Sequence, residues 1–592
     1  MKKLLDRFPV IAVVLLLAVT LAPMMATRDY SPSNELRYVS IVDEAFTEGN
    51  VFAFTNQGQD YADKPPFYFW LMMLCKLIFG EHNMYALTLL SFIPACVIIA
   101  VMDKWLRKTY TGGPGGSTRR ATALMLATSG IFFGMTVFLR MDMLMIMWIV
   151  LALWTFWKMD TYGTKPVDKF LLPFYTFMAL FTKGPVGVLV PPLVITVFLL
   201  CERRWKDIFK YLGLSFWGIL ALFCAVWFTG VYIDGGKEYL NNLLFHQTVD
   251  RAVNSFHHKR PVWYYAENIW GIMAPWCLAT VPVIVLALIG KGKGEERQKP
   301  SKAEKFLALA CIVTFVMLSA FSSKLSIYLA PVIPFAVCLF PLVVRRRGWN
   351  GWFTFAMGFA AVLATLIGIA AVLAGAICMF VPSVPEFLEY GFLKSPLVLL
   401  AGAILTIGGV RALVQIGKDS SEWDKPVLSI AQSLLWAVFF ISFLMPKIND
   451  YVGYGNICKL VPQDSQVYTL CVKRPENMDV YLGRDIYSFD KDIDTFLLTA
   501  PKEGTLIMPV STLGKSDALM DFLETQPVSY CGKYAVYDLH REVKVSPEKE
   551  LKRNLIESKR LRRKAGKADK RRARRTGNAA ENDLGLAGEG LD

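Results

Sequence analysis

Residues 353–381, FTFAMGFAAVLATLIGIAAVLAGAICMFV, contain no charged side chain and are long enough to cross a lipid bilayer as one helix. Similar apolar stretches recur along the chain as far as about Met445. The 592 residues are 54% hydrophobic and 19% charged, whereas soluble globular proteins carry roughly a quarter charged residues. This composition excludes an ordinary soluble enzyme and a disordered protein, and it predicts a polytopic α-helical membrane protein.

About 13 apolar segments have roughly the length and composition that a membrane span needs. They are residues 8–26, 85–103, 121–139, 143–157, 170–181, 184–201, 211–232, 265–290, 306–321, 325–344, 353–381, 395–413 and 426–445. The first also resembles a signal peptide, but we interpret it as an uncleaved span, and either interpretation places the loop that begins at Thr27 outside. The segment 170–181 is short, so we expect a tilted, extended or broken helix there.

Lysine and arginine are concentrated in alternate loops between these segments, for example at residues 203–206 and 345–347. Cytoplasmic loops of membrane proteins are enriched in both residues, so the alternation predicts which loops are cytoplasmic. An odd number of spans then leaves the region after Met445 on the outer side. The basic run at residues 552–575 lies on the side that the rule disfavours, although long translocated segments largely escape the rule.

Three regions are predicted from these patterns. Residues 1–445 form the predicted transmembrane domain, in which residues 27–84 make an outer catalytic loop with interfacial helices. Residues 446–545 are predicted to form a small soluble α/β domain on the outer side, and residues 546–592 a basic, disordered tail. The elements predicted in the α/β domain are strands at 466–470, 505–510 and 533–539 and a helix at 516–524. The net charge of +15 is divided between the tail and short loops. This distribution argues against nucleic acid as a partner, and the expected partner is the lipid bilayer.

The few charged residues of the outer loops occur in four places. They are the first loop, with Asn34-Glu35-Leu36-Arg37-Tyr38 and Asp63-Lys64-Pro65-Pro66; the hairpin Arg140-Met141-Asp142; the short loops around Lys183 and Lys324; and the loop 233–262, with Asp250-Arg251 and His257-His258-Lys259-Arg260 before Trp263-Tyr264-Tyr265. Each place alone has a plainer explanation: a solvated loop, an ion pair that closes a turn, or a lysine that extends to the headgroups. Their occurrence on one side favours a binding site.

Cations gathered at one membrane surface, close to carboxylates, suit an anionic headgroup at that depth. The cations are Lys64, Arg140, Lys183, Arg251, Arg260 and Lys324, and the carboxylates are Glu35, Asp63 and Asp142. A lipid-linked phosphate is the natural anion there: the cations would stabilise charge on a departing phosphate, and a carboxylate could orient or deprotonate an acceptor. The paired histidines match no strong ligand spacing, so no cofactor is assigned and a divalent metal stays an open alternative.

The order of these motifs resembles the bacterial lipid-linked-sugar transferases of GT-C type, in the aminoarabinose transferase and protein O-mannosyltransferase group (glycosyltransferase family 39 and relatives). The motifs are N/D-E-x-R-Y, the D/E-K-P-P turn, the charged hairpin, T-K-G at 182–184 and S-K-x-x-x-Y-x-x-P-x-x-P at 323–334. The resemblance covers roughly residues 1–445. It implies a GT-C fold, a polyprenyl-phosphate sugar as donor, and inverting transfer at the periplasmic face of the bacterial inner (cytoplasmic) membrane.

Roles are carried over only onto the positions that match. The resemblance and the charge pattern together imply catalytic roles for Glu35, Asp142 and Asn34. They imply binding of the donor phosphate or substrate by Arg37, Tyr38, Asp63, Lys64, Arg140, Lys183, Arg251, Arg260, Tyr264, Lys324 and Tyr328. Asp63 stands where the family usually has Glu, and residues 250–265 look like the family's donor-phosphate loop.

One departure concerns the base. The family's first loop usually begins Asp-Glu, and here Asn34-Glu35 stands. If that aspartate is the family's base, either Glu35 or Asp142 acts as the base here, or the acceptor needs no strong base. A lipid A-like phosphate is an acceptor of the last kind. An inactive member of the family is a further alternative. We therefore expect transfer to a glycolipid or other envelope acceptor. The rivals are a protein or polysaccharide hydroxyl as glycan acceptor and, from another class, a transporter, although no internal repeat is evident.

Overall fold

The computed structural model describes residues 7–110, 112–245, 260–290, 298–381, 390–418, 422–499, 501 and 503–539. These residues divide into two compact units, with the boundary between Tyr454 and Gly455. The first unit is a bundle of helices, and the second contains a five-stranded sheet.

The first unit is built almost entirely from helices. In chain order they are α1 (Pro9–Thr27), α2 (Glu35–Glu48), α3 (Phe67–Phe79), α4 (Met84–Thr109), α5 (Gly116–Ala127), α6 (Gly130–Met135), α7 (Met141–Tyr162), α8 (Pro166–Lys183), α9 (Pro185–Cys201), α10 (Lys206–Tyr211), α11 (Leu214–Asn241), α12 (Tyr264–Ile272), α13 (Cys277–Leu286), α14 (Lys302–Ala320), α15 (Val332–Arg347), α16 (Gly351–Phe380), α17 (Pro396–Lys418), α18 (Asp424–Ser442) and α19 (Met445–Val452). The first loop adds the antiparallel hairpin β1 (Thr55–Asn56) and β2 (Gln59–Asp60), and short 3-10 turns occupy Ser326–Leu329 and Gly391–Lys394.

Among the described residues, eight helices are long and apolar enough to cross a membrane: α1, α4, α7, α11, α14, α16, α17 and α18. The predicted polytopic helical fold is confirmed. The other predicted segments are also helical, but they are shorter or interrupted. Residues 121–139 contain α5 and α6, residues 265–290 contain α12 and α13, and α8, α9 and α15 have 18, 17 and 16 residues. A count of apolar residues does not detect such breaks, because the broken helices stay apolar inside the bundle.

The basic loops predicted to be cytoplasmic meet one another through ion pairs. The carboxylate of Asp160, at the end of α7, is fully buried and binds Arg204 at 2.6 Å and Lys302 at 2.8 Å. Arg346, at the end of α15, binds Glu304 in the first turn of α14 at 2.7 Å. Loops that are far apart in the chain therefore share one end of the bundle, as the alternation of charge requires.

The chain segments after the first and the last long helix also lie together. Nδ2 of Asn449 in α19 donates to the carbonyl of Thr27, at the end of α1, at 2.7 Å, and Oδ1 of Asn449 accepts from the Asp29 N–H at 3.0 Å. These two segments are therefore on the same side of the bundle, which an odd number of spans requires.

The first outer loop contains two helices that end in the same way. Gly49 follows α2 with φ 80°, and Gly80 follows α3 with φ 76°, the left-handed conformation that glycine adopts readily at helix ends. Leu77, Ile78 and Phe79 at the end of α3 are exposed, with 68%, 66% and 53% of their surface accessible. This apolar surface suits a helix that lies in the membrane interface, as predicted from the sequence.

The second unit forms one mixed sheet with short helices. The strands are β3 (Val467–Thr469), β4 (Ile486–Ser488), β5 (Gly504–Pro509), β6 (Val528–Cys531) and β7 (Tyr534–Leu539), and the helices are α20 (Gly455–Cys458), α21 (Asp479–Leu482), α22 (Ile493–Thr499) and α23 (Asp517–Leu523), with 3-10 turns at Pro475–Met478 and Val510–Lys515. The strand order is β4-β3-β5-β7-β6, parallel from β4 to β5 and antiparallel from β5 to β6.

The core of this unit explains which of its elements the sequence predicted. Leu506 in β5 is fully buried and lies opposite Tyr468 of β3 and Tyr537 of β7. The three predicted strands are the buried strands β3, β5 and β7, and the predicted helix is α23, whose N-cap Ser516 accepts from the Leu519 N–H. The edge strands β4 and β6 were not predicted, because most of their residues are exposed and they lack an apolar pattern.

Candidate active site

Asp142, in the first turn of α7, is the centre of the site. One carboxylate oxygen binds the Lys183 ammonium at the end of α8, and the other accepts from Nε of Arg140 at 3.3 Å. Only 3% of the Asp142 side chain is exposed. Because a short loop joins α7 to α8, the start of α7 and the end of α8 lie at the same end of the bundle. A carboxylate at a helix N-terminus and an ammonium at a C-terminus also interact favourably with the helix dipoles.

Arg140 and Tyr328 complete this cluster. Burial by itself lowers the pKa of Arg140, but Asp142 outweighs burial and raises the pKa above its ordinary value, so Arg140 stays charged. The Lys183 ammonium lies 4.6 Å from the centre of the Tyr328 ring, a cation–π contact. Three regions that are distant in the sequence therefore meet around one carboxylate.

Lys64 borders the Asp142 cluster from the first loop. It lies within electrostatic range of Lys183. Its ammonium binds Oδ2 of Asp63 at 2.8 Å, and the Tyr61 hydroxyl donates to the same oxygen at 3.2 Å. The Lys64 and Asp63 side chains are 18% and 15% exposed, so this pair is more accessible than Asp142.

Glu35 is buried and paired. It forms an ion pair with Arg28 at 2.8 Å, and both side chains are 2% exposed. Its carboxylate also accepts from the backbone N–H groups of Ser31 at 2.7 Å and Leu139 at 2.5 Å. Arg28 in turn donates to the Val137 carbonyl at 3.0 Å. The pair therefore links the start of α2 to the segment that precedes Arg140. The assignment of Glu35 as the base stays a prediction.

Asn34, Arg37 and Tyr38 lie at the start of α2. Asn34 is the N-cap residue, and its Oδ1 accepts from Arg37 at 3.2 Å. The Arg37 guanidinium lies 5.4 Å from the centre of the Tyr61 ring, and its buried Nε has no hydrogen-bond partner among the described residues. Tyr38 is 6% exposed and lies within electrostatic range of Arg140. Through Tyr38 this turn therefore adjoins the Asp142 cluster.

Lys324 is used differently from the other predicted cations. It is 2% exposed, and its ammonium donates to the carbonyls of Arg260, at 3.2 Å, and Phe321. Burial lowers the pKa of Lys324. The Arg260 side chain is exposed and lies 5.8 Å from the centre of the Tyr264 ring. Lys324 thus joins the chain before α12 to the chain after α14.

A second set of hydrogen bonds fixes the 3-10 turn that contains Tyr328. The Tyr264 hydroxyl lies 3.0 Å from Oγ of Ser326, and Ser326 donates to Oδ1 of Asn268 at 3.0 Å. Tyr264 and Asn268 both lie on α12. These contacts position Tyr328, whose ring lies against the Lys183 ammonium.

Part of the predicted donor-phosphate loop cannot be placed. Arg251 and the histidines at 246, 257 and 258 lie outside the described residues. Within the described ranges, no group of three or more His, Cys, Asp or Glu side chains could hold a metal ion.

Sequence reasoning missed Arg28 and a cluster around Asp43. Arg28 directly follows the first span, a position that indicates the outer boundary but no partner. Asp43, on α2, binds both Lys76 of α3 and His82. Burial by itself raises the pKa of Asp43, but His82 and then Lys76 outweigh it, so the pKa lies below the ordinary value. The spacing of α2 and α3 in the sequence does not show that these residues meet.

The Asp142 cluster and the neighbouring Lys64–Asp63 pair can together bind an anion. Lys64, Arg140 and Lys183 carry three positive charges when ionised, and Asp63 and Asp142 carry two negative charges, which leaves one positive charge in excess. Ionisable groups fixed in a water-poor site interact with a bound charge more strongly than they do in water.

Part of the chain is similar to a known family. Residues 63–228 match the family model described as dolichyl-phosphate-mannose-protein mannosyltransferase. The matched part begins at Asp63 and contains Arg140, Asp142 and Lys183 of the cluster, but not Tyr328.

Similar proteins from several bacteria are named as arabinosyl transferases. An undecaprenyl phosphate-alpha-4-amino-4-deoxy-L-arabinose arabinosyl transferase from Edwardsiella ictaluri is 25% identical over 350 residues, which cover 57% of this chain and 60% of that protein. The protein of the same name from Pseudomonas paraeruginosa is 26% identical over 318 residues, with 53% and 55% covered. The chain thus spans less than two thirds of these two relatives, whereas the Yersinia pestis protein is 23% identical over 567 residues, with 88% and 96% covered.

A solved structure shows the same architecture. ArnT from Cupriavidus metallidurans bound to undecaprenyl phosphate superposes with a TM-score of 0.66 over 90% of this chain and 99% of that chain, at 18% sequence identity. In its apo state the TM-score is 0.64. The likeness confirms the predicted GT-C fold.

Proposed function

We propose that the chain, which has the GT-C fold, is an inverting glycosyltransferase of the group that contains the aminoarabinose transferases and the protein mannosyltransferases. In this proposal it moves a sugar from a polyprenyl-phosphate donor to a lipid A-like glycolipid or another envelope acceptor. The chain is a multi-pass membrane protein, and we place its site and the region 446–545 on the periplasmic side of the bacterial inner membrane.

The observation that carries the proposal is the Asp142 cluster, with Arg140 and Lys183, together with the neighbouring cation Lys64. Arg140 directly precedes α7, Lys183 ends α8 and Lys64 lies just before α3, a helix that exposes apolar surface at its other end. Cations at helix ends near a membrane surface suit a lipid-linked phosphate. We assign them to the donor phosphate, with Arg37, Tyr38, Asp63 and Tyr328 around it. Preorganised cations there stabilise the charge that develops on the phosphate as the sugar leaves.

The state of the carboxylates favours an acceptor that needs no strong base. Asp142 is held by two cations, Asp63 by Lys64, and Glu35 by Arg28 and two backbone N–H groups. A carboxylate in such a pair is a weak base, and Asn34 has no carboxylate with which to accept a proton at neutral pH. A phosphate acceptor is already anionic, which supports a lipid A-like acceptor over a hydroxyl.

We further propose that Lys324, Arg260 and Tyr264 position the turn of Tyr328. The Lys324 ammonium donates to the Arg260 carbonyl and the Tyr264 hydroxyl bonds to Ser326, so these contacts join the segment of Arg260 and Tyr264 to the segment that contains Tyr328. Arg251 stays a predicted ligand of the donor phosphate.

The test uses the full chain in lipid nanodiscs with undecaprenyl-phosphate aminoarabinose and lipid A, followed by mass spectrometry of the lipid. We expect lipid A to gain one aminoarabinose. We expect Lys64→Ala to reduce the transfer rate at least about 100-fold, because the loss of one preorganised group that stabilises the transition-state charge lowers a rate by roughly that factor. Lys447→Ala is the control, since Lys447 is an exposed lysine of α19.

Other results would redirect the proposal. Sugar on protein or polysaccharide, with lipid A unchanged, would select the rival acceptor class. Solute uptake into proteoliposomes without any covalent product would replace the transferase with a transporter. Wild-type rates in Lys64→Ala would reject the site while leaving the activity.

A further inference from the structure

We propose that Asp234 and Tyr239, both on α11, are positioning residues that hold the first outer loop so that Lys64 faces the Asp142 cluster. The inference rests on the proposed function, because Lys64 is a donor-phosphate ligand only there. Asp234 and Tyr239 lie more than 170 residues from the loop that they bind. They touch neither the cluster nor its cations in any contact described above.

Asp234 binds the backbone of the loop. Its Oδ2 accepts from three successive N–H groups, those of Val51 at 3.0 Å, Phe52 at 2.7 Å and Ala53 at 2.8 Å. Successive N–H groups that converge on one point form a concave site for an anion. Hydrogen bonds to an ionised acceptor are also stronger than those between neutral groups, so this carboxylate fixes the path of the chain at residues 51–53.

Tyr239 closes the next part of the loop. Its ring is 2% exposed, and its hydroxyl accepts from the Phe54 N–H at 3.1 Å and donates to the Tyr61 carbonyl at 2.8 Å. One hydroxyl thus joins the two ends of the segment that contains the β1–β2 hairpin. The Tyr61 hydroxyl donates to Asp63, the partner of Lys64, so the fixed backbone leads directly to the cation.

Glycines let the loop approach α11 closely. A Cβ atom added at Gly235 would lie 2.5 Å from Cβ of Ala53, and one added at Gly230 would lie 2.6 Å from the ring of Phe52. Between Asp234 and Tyr239 the backbone leaves the helical conformation at Gly236, with φ 71° and ψ −173°. The two side chains are therefore presented from separate helical segments, and each reaches a different part of the loop.

Because Asp234 is exposed, its replacement can test the position of the loop without unfolding the protein. Asp234 is exposed, so its removal strands no buried charge, whereas three N–H groups lose their acceptor and gain access to water. We therefore expect residues 51–64 to become mobile while the helix bundle stays folded. Because a displacement of about 1 Å costs up to roughly 100-fold in rate, the main effect falls on use of the donor.

The experiment compares the full chain in nanodiscs with Asp234→Ala, Asp234→Asn and Tyr239→Phe. Glu238→Ala is the matched control, because Glu238 is an exposed carboxylate on the same end of α11. Three quantities are measured: hydrogen exchange of residues 51–64, binding of undecaprenyl phosphate, and kcat and KM for the donor. We expect faster exchange, weaker binding and a kcat/KM for the donor lowered about 10- to 100-fold in Asp234→Ala and Tyr239→Phe. Asp234→Asn should be intermediate, and Glu238→Ala should match the wild type.

Two results would overturn the inference. The first is wild-type exchange and wild-type KM in both Asp234→Ala and Tyr239→Phe. The second is a loss of rate that equals the loss of folded protein, with KM unchanged. A wild-type chain that transfers no sugar would reject the proposed function instead, and exchange together with undecaprenyl-phosphate binding would still decide the role of Asp234 and Tyr239.

Discussion

Replacement of Glu35 distinguishes a catalytic base from a buried structural carboxylate. In the structure, Glu35 accepts from Arg28 at 2.8 Å and from two backbone N–H groups, and only 2% of each charged side chain is exposed. Breaking a buried ion pair by removing one partner costs about 3–5 kcal/mol, because the other charge is left unpaired. We expect this loss for Glu35→Ala, and a smaller loss of about 1–3 kcal/mol for Glu35→Gln, which keeps an acceptor oxygen.

A double-mutant cycle tests the origin of the effect. Arg28→Met combined with Glu35→Met removes both charges, so the loss should be smaller than the sum of the two single losses by about 1–3 kcal/mol. The assay is unfolding of the full chain in mixed detergent micelles, with the transfer rate measured on the same samples. Glu48→Gln, an exposed carboxylate at the other end of α2, is the control.

The opposite result would refute the reasoning. A general base contributes about 100- to 10,000-fold to a rate but nothing necessary to the fold. If Glu35→Gln unfolds like the wild type and transfer is lost by such a factor, Glu35 is the base and its described hydrogen bonds are incidental.

Three further predictions concern the cluster, the first loop and the second unit. Lys183→Met should lower donor kcat/KM at least about 100-fold, measured by lipid mass spectrometry, and a wild-type value would remove Lys183 from the site. The folded-state pKa of Asp43 is lowered, so its stabilisation is complete above the ordinary carboxyl range near pH 4 and is lost as the pH falls through the lowered value. The gap in melting temperature between wild type and Asp43→Asn should therefore shrink below about pH 4, and a gap that grows there would contradict this sign. Leu506→Ala should destabilise the second unit by about 2–5 kcal/mol in denaturant unfolding of the full chain, with exposed Met520→Ala as the control, and equal effects would deny Leu506 its place in the core.

Much of the fold was predictable because its signals are local. A run such as residues 353–381 identifies a spanning helix without reference to any partner, and the distribution of lysine and arginine sets its direction. The interruptions between α5 and α6 and between α12 and α13 were missed because each is only two to four residues long, Thr128-Ser129 and Met273–Trp276, inside a stretch that is otherwise apolar. The edge strands β4 and β6 were missed for the related reason that exposed strands carry no apolar alternation.

The candidate site was predictable in part. Lys64, Arg140, Asp142 and Lys183 are charged residues beside apolar runs, and their side of the membrane is predicted by the loop count. The contacts of Glu35 were not predictable, because its three hydrogen-bond donors come from residues 28, 31 and 139. The contacts of Asp234 with residues 51–53 lacked any sequence signal, since a carboxylate that binds backbone N–H groups needs no particular partner residue.

The excess positive charge beside Asp142 has a consequence for turnover. In the proposed reaction the donor is a phosphodiester with a single negative charge, but the spent carrier is a phosphomonoester with about −1.5 to −2 at neutral pH. The same cations therefore face one negative charge on the donor before bond cleavage and nearly two on the carrier phosphate afterwards. They bind the spent carrier more tightly than the donor. Departure of the carrier, rather than sugar transfer itself, would then pace the cycle, and accumulated carrier would act as a brake.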